Sequence, residues 1–223
     1  MHDQIQSTAD ASFATIDVQR LGLRDYAATR AAMIAFTAGR DDGTRDALWL
    51  LEHPSVYTLG QAGRPEHLHG VVDIPVVRTE RGGQITYHGP GQLVVYLLVD
   101  LRRRGIKVRT FVRLIEEAVV ETLAAYNSTG RTKPGAPGVY VECDGELQKI
   151  AAIGLKIDRH GRSFHGLSFN VAMDMTPYAA IDACGYPGLK SIDLAGLGVA
   201  TDVRAVGDRM AAILVERIEG ASR

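Results

Sequence analysis

The residues best suited to chemistry are concentrated in one stretch, Arg81 to Gln92, which reads Arg-Gly-Gly-Gln-Ile-Thr-Tyr-His-Gly-Pro-Gly-Gln. Its glycines let backbone N–H groups approach a ligand closely. The polar side chains set among them can fix that ligand's orientation. A tight connection between two strands with incidental polar residues has the same composition, so both readings stand at this point. The stretch is neither a P-loop nor a dinucleotide fingerprint. It lacks the Gly-Lys-Ser/Thr ending and the G-x-G-x-x-G spacing, and a strand-like run follows it.

A nucleophile can be sought among two cysteines. Cys143 shares strand parity with Val139 and Val141 and reads as a small core hydrophobe. Cys184 lies in Asp182-Ala183-Cys184-Gly185-Tyr186-Pro187-Gly188, a run of turn formers where a thiol can meet a substrate. A buried, inert loop thiol is the alternative. A reactive thiol needs a nearby cation or base. Lys149 qualifies: it has the parity of Ala151, Ile153, Leu155 and Ile157, so it reads as facing inward, where desolvation should lower its pKa. Otherwise it sits at a frayed strand end and reaches water.

His67 and His69, with His88 and His165 elsewhere, make a weak metal site, because no carboxylate or cysteine matches their spacing. The basic run Arg102, Arg103, Arg104, Lys107, Arg109 and Arg113 contains no acid. Such a run is usually a solvated face, but it also suits an acidic protein partner. It has few aromatic neighbours to stack on bases.

The elements that must position these groups follow from periodicity. Helices are predicted at 23–38, 110–126 (Thr110 as N-cap) and 202–218 (Thr201 or Asp202 as cap). Strands are predicted at 47–52, 56–59, 74–78, 84–87, 93–99, 139–143, 148–157 and 163–171. The continuous apolar run Leu93 to Val99 reads as a central strand covered on both faces. Asp144-Gly145 predicts a hairpin between 139–143 and 148–157. The segment 127–138 reads as a long functional loop, and residues 1–14 as a loose polar arm. Strands and helices do not alternate regularly. The expected fold is therefore α/β or α+β, with a mixed, largely antiparallel sheet flanked by helices.

Bulk properties narrow the classes. The chain has 223 residues, 46% hydrophobic and 23% charged, with net charge -1. Two cysteines exclude a disulfide scaffold or Cys-rich zinc module. Near-neutral charge disfavours a general nucleic-acid binder. The longest apolar run, Leu93 to Val99, falls far short of the ~20 residues of a membrane-spanning helix. The first twenty residues show no secretory pattern. A soluble cytoplasmic protein is the expectation.

Taken together, the motifs resemble the octanoyltransferase family of lipoate biosynthesis, the lipoyl(octanoyl) transferases. The family block Arg-Gly-Gly-x-x-Thr-Tyr/Phe-His-x-Pro-Gly-Gln stands unbroken from Arg81 to Gln92. Further matching blocks are Lys149 to Gly154, Phe164 to Leu167 continuing through Asn170, Val171, Met173 and Asp174, and Cys184-Gly185-Tyr186. The resemblance covers roughly residues 20–215 and omits the N-terminal arm.

The resemblance implies a fold like the biotin and lipoate protein ligase catalytic domain, as one domain over 15–223. It implies transfer of octanoyl from octanoyl-acyl-carrier protein to a specific lysine of lipoyl domains. Those domains belong to 2-oxoacid dehydrogenase complexes and the glycine cleavage H protein. Cys184 would carry the acyl thioester with Lys149 as its dyad partner. Arg81, Gly82, Gly83, Gln84, Ile85, Thr86, Tyr87 and His88, with Ala152, Ile153, Gly154, Gly166, Leu167 and Ser168, would line the acyl site. Gly154 and Gly166 would leave room for the tail. No metal, nucleotide or other cofactor is implied, and no nucleic acid or membrane partner. Two other readings are an ATP-dependent ligase of the same fold, which would not need Cys184, and a non-enzymatic acyl- or carrier-binding module.

Overall fold

The structure is a computed structural model that describes residues 15–69 and 73–222. The arm expected over residues 1–14 lies outside them. In chain order the elements are β1 (Asp17–Leu23), α1 (Tyr26–Ala38), β2 (Ala47–Glu52), β3 (Val56–Leu59), β4 (Val76–Arg78), β5 (Ile85–His88), β6 (Gln92–Leu98), α2 (Leu101–Arg104), α3 (Val108–Ala124), β7 (Gly130–Thr132), β8 (Gly138–Cys143), β9 (Glu146–Ile157), β10 (Ser163–Asn170) and α4 (Val203–Gly220). Single 3-10 turns occur at Pro65–His67, Thr176–Ala180 and Ala183–Gly185.

Seven strands form one sheet in the order β1-β2-β6-β10-β9-β8-β7. Only β1 and β2 are parallel in it; the other pairs are antiparallel. A second sheet has the order β4-β3-β5. The mixed, largely antiparallel architecture is the one the sequence predicts.

Helical periodicity decides which face each helix buries. Phe111, Ile115, Val119 and Leu123 of α3 pack with Val206, Met210, Leu214 and Ile218 of α4 on one side of the large sheet. They meet Leu93, Val95 and Leu97 of β6, and Leu167 and Phe169 of β10. On the other side Met33 of α1 meets Trp49, Leu51, Val94, Tyr96, Leu98 and Phe164. Both faces of β6 are therefore covered, which is why its sequence is continuously apolar. A third cluster joins Tyr57, Leu59, Ile85 and Tyr87 of the small sheet to Ile181 and Ala183.

Several expectations shift. The first helix starts at Tyr26 behind Asp25, whose carboxylate accepts from the Ala28 N–H at 2.8 Å. The preceding residues form edge strand β1, whose mostly exposed side chains give little hydrophobic alternation. Thr110 is no N-cap: α3 begins at Val108 behind Lys107, which gives no side-chain cap. Asp202 does cap α4, accepting from Ala205 N–H at 2.8 Å. Within the expected loop 127–138, residues Gly130–Thr132 pair with β8 as a short edge strand. The Asp144-Gly145 hairpin is present, with φ +53° and +75°, as a type I′ turn requires.

Cys143 ends β8 half-buried at the margin of the main core, shallower than its parity suggests. The basic run is divided. Arg104 is buried and Arg103 largely so; with Arg40 they bind the fully buried Asp46 carboxylate. That part of the run ties α2 to the start of β2, while Arg102, Lys107, Arg109 and Arg113 remain exposed.

Candidate active site

Residues far apart in sequence converge where two segments grip the loop around Cys184. Downstream of the cysteine, Lys149 N–H donates to Lys190 O at 2.9 Å, and Ile192 N–H donates to Lys149 O at 3.0 Å. Upstream, Asp182 N–H donates to His67 O at 2.9 Å and His69 N–H to Ala180 O at 2.8 Å. Between these ties Cys184 adopts φ +58°, ψ +16°, followed by Gly185 at φ +74°. The left-handed region is natural for glycine but costs a non-glycine residue about 1–3 kcal/mol, so the surroundings must impose it. Gln84 supplies one constraint, since its side chain packs where any Gly185 Cβ would stand.

The result is close contact between Lys149 Nζ and Cys184 Sγ, at 3.0 Å. Lys149 is only 3% exposed, so desolvation opposes its charge. Its ammonium also donates to Pro137 O at 3.1 Å and lies 5.0 Å from the centre of the Tyr140 ring. Burial pulls the lysine pKa down, but the charge and hydrogen bonding of Cys184, then Tyr140, outweigh it. The net shift is upward, opposite to the desolvation-only expectation.

Lys149 is also buried for a reason that strand parity does not give. Tyr140 pairs with Lys149 while its neighbour Val139 pairs with Ala151, so Ile150 is an extra residue, a β-bulge. Ile150 and Ala151 both enter the main core. Lys149 is left on the Tyr140 side, facing Cys184.

Both groups open into a cavity of about 410 Å³. Of the residues expected to line an acyl site, Arg81, Gly82, Gly83, Gln84, Ile85, Thr86, His88, Ala152, Ile153, Gly154, Gly166, Leu167 and Ser168 all border it. Tyr87 does not. It points into the third cluster beneath Ile181 and Ala183, and its hydroxyl meets Ser55 Oγ at 3.0 Å. Sequence reasoning missed Tyr26, Tyr96, Val108, Val112, His165 and Tyr186, which also border the cavity. Alternation along β6 was the available signal for Tyr96, but the continuous apolar run hid it.

The cavity reaches both faces of β9 because β8 ends opposite Ala152 and leaves residues 153–157 as an edge. The Arg81 loop covers part of that edge, Gly82 N–H donating to Leu155 O at 2.9 Å. Gly154 accommodates this loop: a Cβ there would stand 3.0 Å from Gly82 O. At Gly166 a Cβ would overlap the Val95 carbonyl. Both glycines thus serve the protein's own backbone rather than clearing room for a ligand.

Arg81 acts as an internal brace. Its guanidinium donates to Thr58 O at 2.6 Å, Gln84 O at 2.9 Å and Gly82 O at 2.9 Å. His88 shares its Nδ1 proton with Gln92 Oε1 at 2.7 Å. Burial, followed by repulsion from His53, depresses the His88 pKa to about 3. Burial also brings His165 to about 4, despite its 2.8 Å contact with Glu80. Both imidazoles are neutral near pH 7. His67 and His69 serve the Asp182 carboxylate, and among the described residues no group of three or more His, Cys, Asp or Glu is arranged to hold a metal.

The comparisons with known proteins agree with this geometry. Residues 25–188 match the family described as the lipoyl protein ligase A/B catalytic domain. An octanoyltransferase of Aromatoleum aromaticum is 54% identical over 205 residues, covering 92% of this chain and 87% of its own. One from Burkholderia pseudomallei is 55% identical over 210 residues, covering 93% and 92%. Among solved structures, a bipartite lipoate protein ligase from Thermoplasma acidophilum superposes with a TM-score of 0.73 at 16% identity, covering 90% of this chain and 82% of its own. The biotin protein ligase of Aquifex aeolicus gives a TM-score of 0.54 at 11% identity, covering 92% and 69%. At such identities the likeness is one of fold. The family match spans the segment that builds the cavity and the Cys184 loop, and the sequence relatives run nearly end to end, so this chain belongs to the octanoyltransferase family of lipoyl protein ligase A/B catalytic domains.

Proposed function

We propose that this protein transfers octanoyl from octanoyl-acyl-carrier protein to a lysine of lipoyl domains, through a thioester on Cys184. The observation that carries the reading is the 3.0 Å contact between Lys149 Nζ and Cys184 Sγ at the wall of the cavity. The catalytic unit spans residues 15–223, and the work is cytoplasmic. The acceptors are lipoyl domains of 2-oxoacid dehydrogenase complexes and the glycine cleavage H protein.

In the first step the Cys184 thiolate attacks the octanoyl carbonyl carbon. The carbonyl-to-sulfur bond of the donor breaks, and the carrier's phosphopantetheine leaves as a thiol after taking up a proton. One thioester replaces another, so the step is nearly isoenergetic and needs no nucleotide, metal or cofactor. The Lys149 ammonium favours the thiolate that starts it. The octanoyl tail gains ~0.8 kcal/mol for each methylene removed from water by Val94, Val108, Val112, Ile153 and Leu167. Gln84 Oε1 is buried without a hydrogen-bond partner at this wall and can accept from a donor amide.

In the second step the acceptor lysine's amine attacks the acyl-cysteine, an amide forms and Cys184 is released. Acylation has by then removed the Cys184 charge that holds the Lys149 pKa up. Burial, the largest influence on Lys149, then favours the neutral amine. Lys149 can accordingly take the proton that the attacking amine must lose. One lysine stabilises the thiolate first and serves as a base afterwards.

Incubation with octanoyl-acyl-carrier protein followed by intact-mass measurement is expected to show one octanoyl on wild type and none on Cys184→Ala. Full transfer by Cys184→Ala, or turnover that demands ATP and free octanoate, overturns the reading.

A further inference from the structure

The nucleophile's strained conformation must be imposed from outside, and one polar cluster next to it has no part in the reading above. Asp182 lies two residues before Cys184. Its carboxylate is gripped at both oxygens: His67 Nδ1 meets Oδ2 at 3.1 Å, and His69 Nε2 meets Oδ1 at 3.0 Å. The backbones of the two segments are joined as well, by Asp182 N–H to His67 O, His69 N–H to Ala180 O and the bridge between Leu68 and Ile181. The Asp182 carbonyl accepts from Gly185 N–H at 2.8 Å, closing the turn that holds Cys184 at its centre. Asp182 is thus the pivot between the 67–69 strap and the nucleophile turn.

We propose that Asp182, His67 and His69 form a clasp that positions Cys184 against Lys149. They are positioning residues, and none of the three borders the cavity. The inference rests on the acyl-transfer reading of Cys184 and Lys149. Its logic is geometric. The downstream ties at Lys190 and Ile192 bind the loop to Lys149 itself, while the clasp fixes the upstream end to a separate segment. Without the carboxylate grip the upstream end keeps only its backbone ties to 67–69, and the turn can relax from its left-handed conformation and carry Sγ away from Nζ. The apolar contacts of Ile181 and Ala183 with Tyr57 and Tyr87 would still keep the loop docked. Loss of the clasp should therefore reduce precision rather than unfold the protein. The hydrogen bonds from His69 and then His67 also hold the Asp182 carboxyl below the ordinary aspartate range, so the carboxylate at the pivot is ionised near neutral pH.

The test compares wild type, Asp182→Ala, the double variant His67→Ala/His69→Ala, and the conservative pair His67→Asn/His69→Gln. An Asn amide can stand in for the Nδ1 donor and a Gln amide for the Nε2 donor. Two readouts are taken: single-turnover octanoylation of Cys184, and the pH profile of its alkylation by iodoacetamide. Asp182→Ala and the double alanine variant are expected to acylate ~10–100-fold more slowly, as displacement of a reacting group by about 1 Å predicts. KM for the octanoyl donor and the thermal midpoint should change little, alkylation near neutral pH should slow, and the Asn/Gln pair should recover most of the rate. An unchanged acylation rate and alkylation profile in Asp182→Ala overturns the clasp, as does a rate loss that merely follows a collapse in thermal midpoint. The alkylation arm requires no octanoyl donor. It therefore reports on the clasp even if the wild-type protein fails to accept octanoyl, which would instead overturn the acyl-transfer reading.

Discussion

At the scale of single residues, the pair Lys149 and Cys184 shows how one contact reverses an expectation based on burial. A lysine 3% exposed should lose its proton readily, yet the neighbouring sulfur keeps the pKa up. Two substitutions separate its proposed roles. Lys149→Ala removes the cation beside Sγ, and single-turnover acylation is expected to fall ~10–100-fold as the nucleophilic thiolate loses its counter-charge. Lys149→Arg keeps a positive charge but cannot give up its proton. That variant should therefore form octanoyl-enzyme and stall there, so the acyl-enzyme persists when a lipoyl domain is added. Wild-type turnover by the arginine variant would remove Lys149 from the second step. The contact itself was not visible in the sequence: strand parity suggested an inward lysine, but the bulge at Ile150 aims Lys149 at Cys184.

Among the elements, strongly periodic segments were legible and edge segments were not. The stripes of α3 and α4 and the run of β6 follow directly from what each buries. β1 and β7 are edge strands with few buried side chains, and α2 is a single turn behind Asp100, so none of them leaves a periodic signal. The candidate site divides the same way. Its glycine-rich block could be read, while Tyr26 and Tyr96 come from elements whose patterns report packing. The first turn of α3 retains a local oddity: Lys107 and Arg109 lie at the positive end of the helix dipole, where cations are unfavourable. They are exposed and make no ion pair among the described residues. Beside them Val108 and Tyr186, each 47% exposed, border the cavity. On the proposed acyl-transfer reading, this exposed basic and apolar rim suits an acidic carrier protein. Lys107→Glu/Arg109→Glu is expected to raise KM for octanoyl-acyl-carrier protein ~10-fold at low salt. Its rate with octanoyl-pantetheine, which has no protein part, should be unchanged. Equal effects on both donors, or none on either, would place carrier docking elsewhere.

Across the whole molecule, the buried histidines couple the site to the stability of the fold. His88 and His165 have folded pKa values of about 3 and about 4, both depressed chiefly by burial. Unfolded histidine titrates near ~6.5. Each folded value lies below the unfolded one, so the unfolded chain binds more protons as pH falls and stability drops with it. The loss begins near pH 6.5 and continues until the folded groups titrate. Glu80 and Asp46 act in the same direction, since hydrogen bonds and ion pairs outweigh the burial of each and lower its pKa, but their share begins only where unfolded carboxylates protonate. The window from pH 7 to pH 5 therefore belongs mainly to the histidines, each costing roughly 2 kcal/mol there. Urea denaturation should show a clear fall in midpoint between pH 7 and pH 5. His165→Gln retains a donor for Glu80 without a titrating ring, so its unfolding free energy should fall by about 2 kcal/mol less over the same window. A midpoint independent of pH in wild type, or an undiminished dependence in His165→Gln, would mean that His165 is already charged in the folded protein.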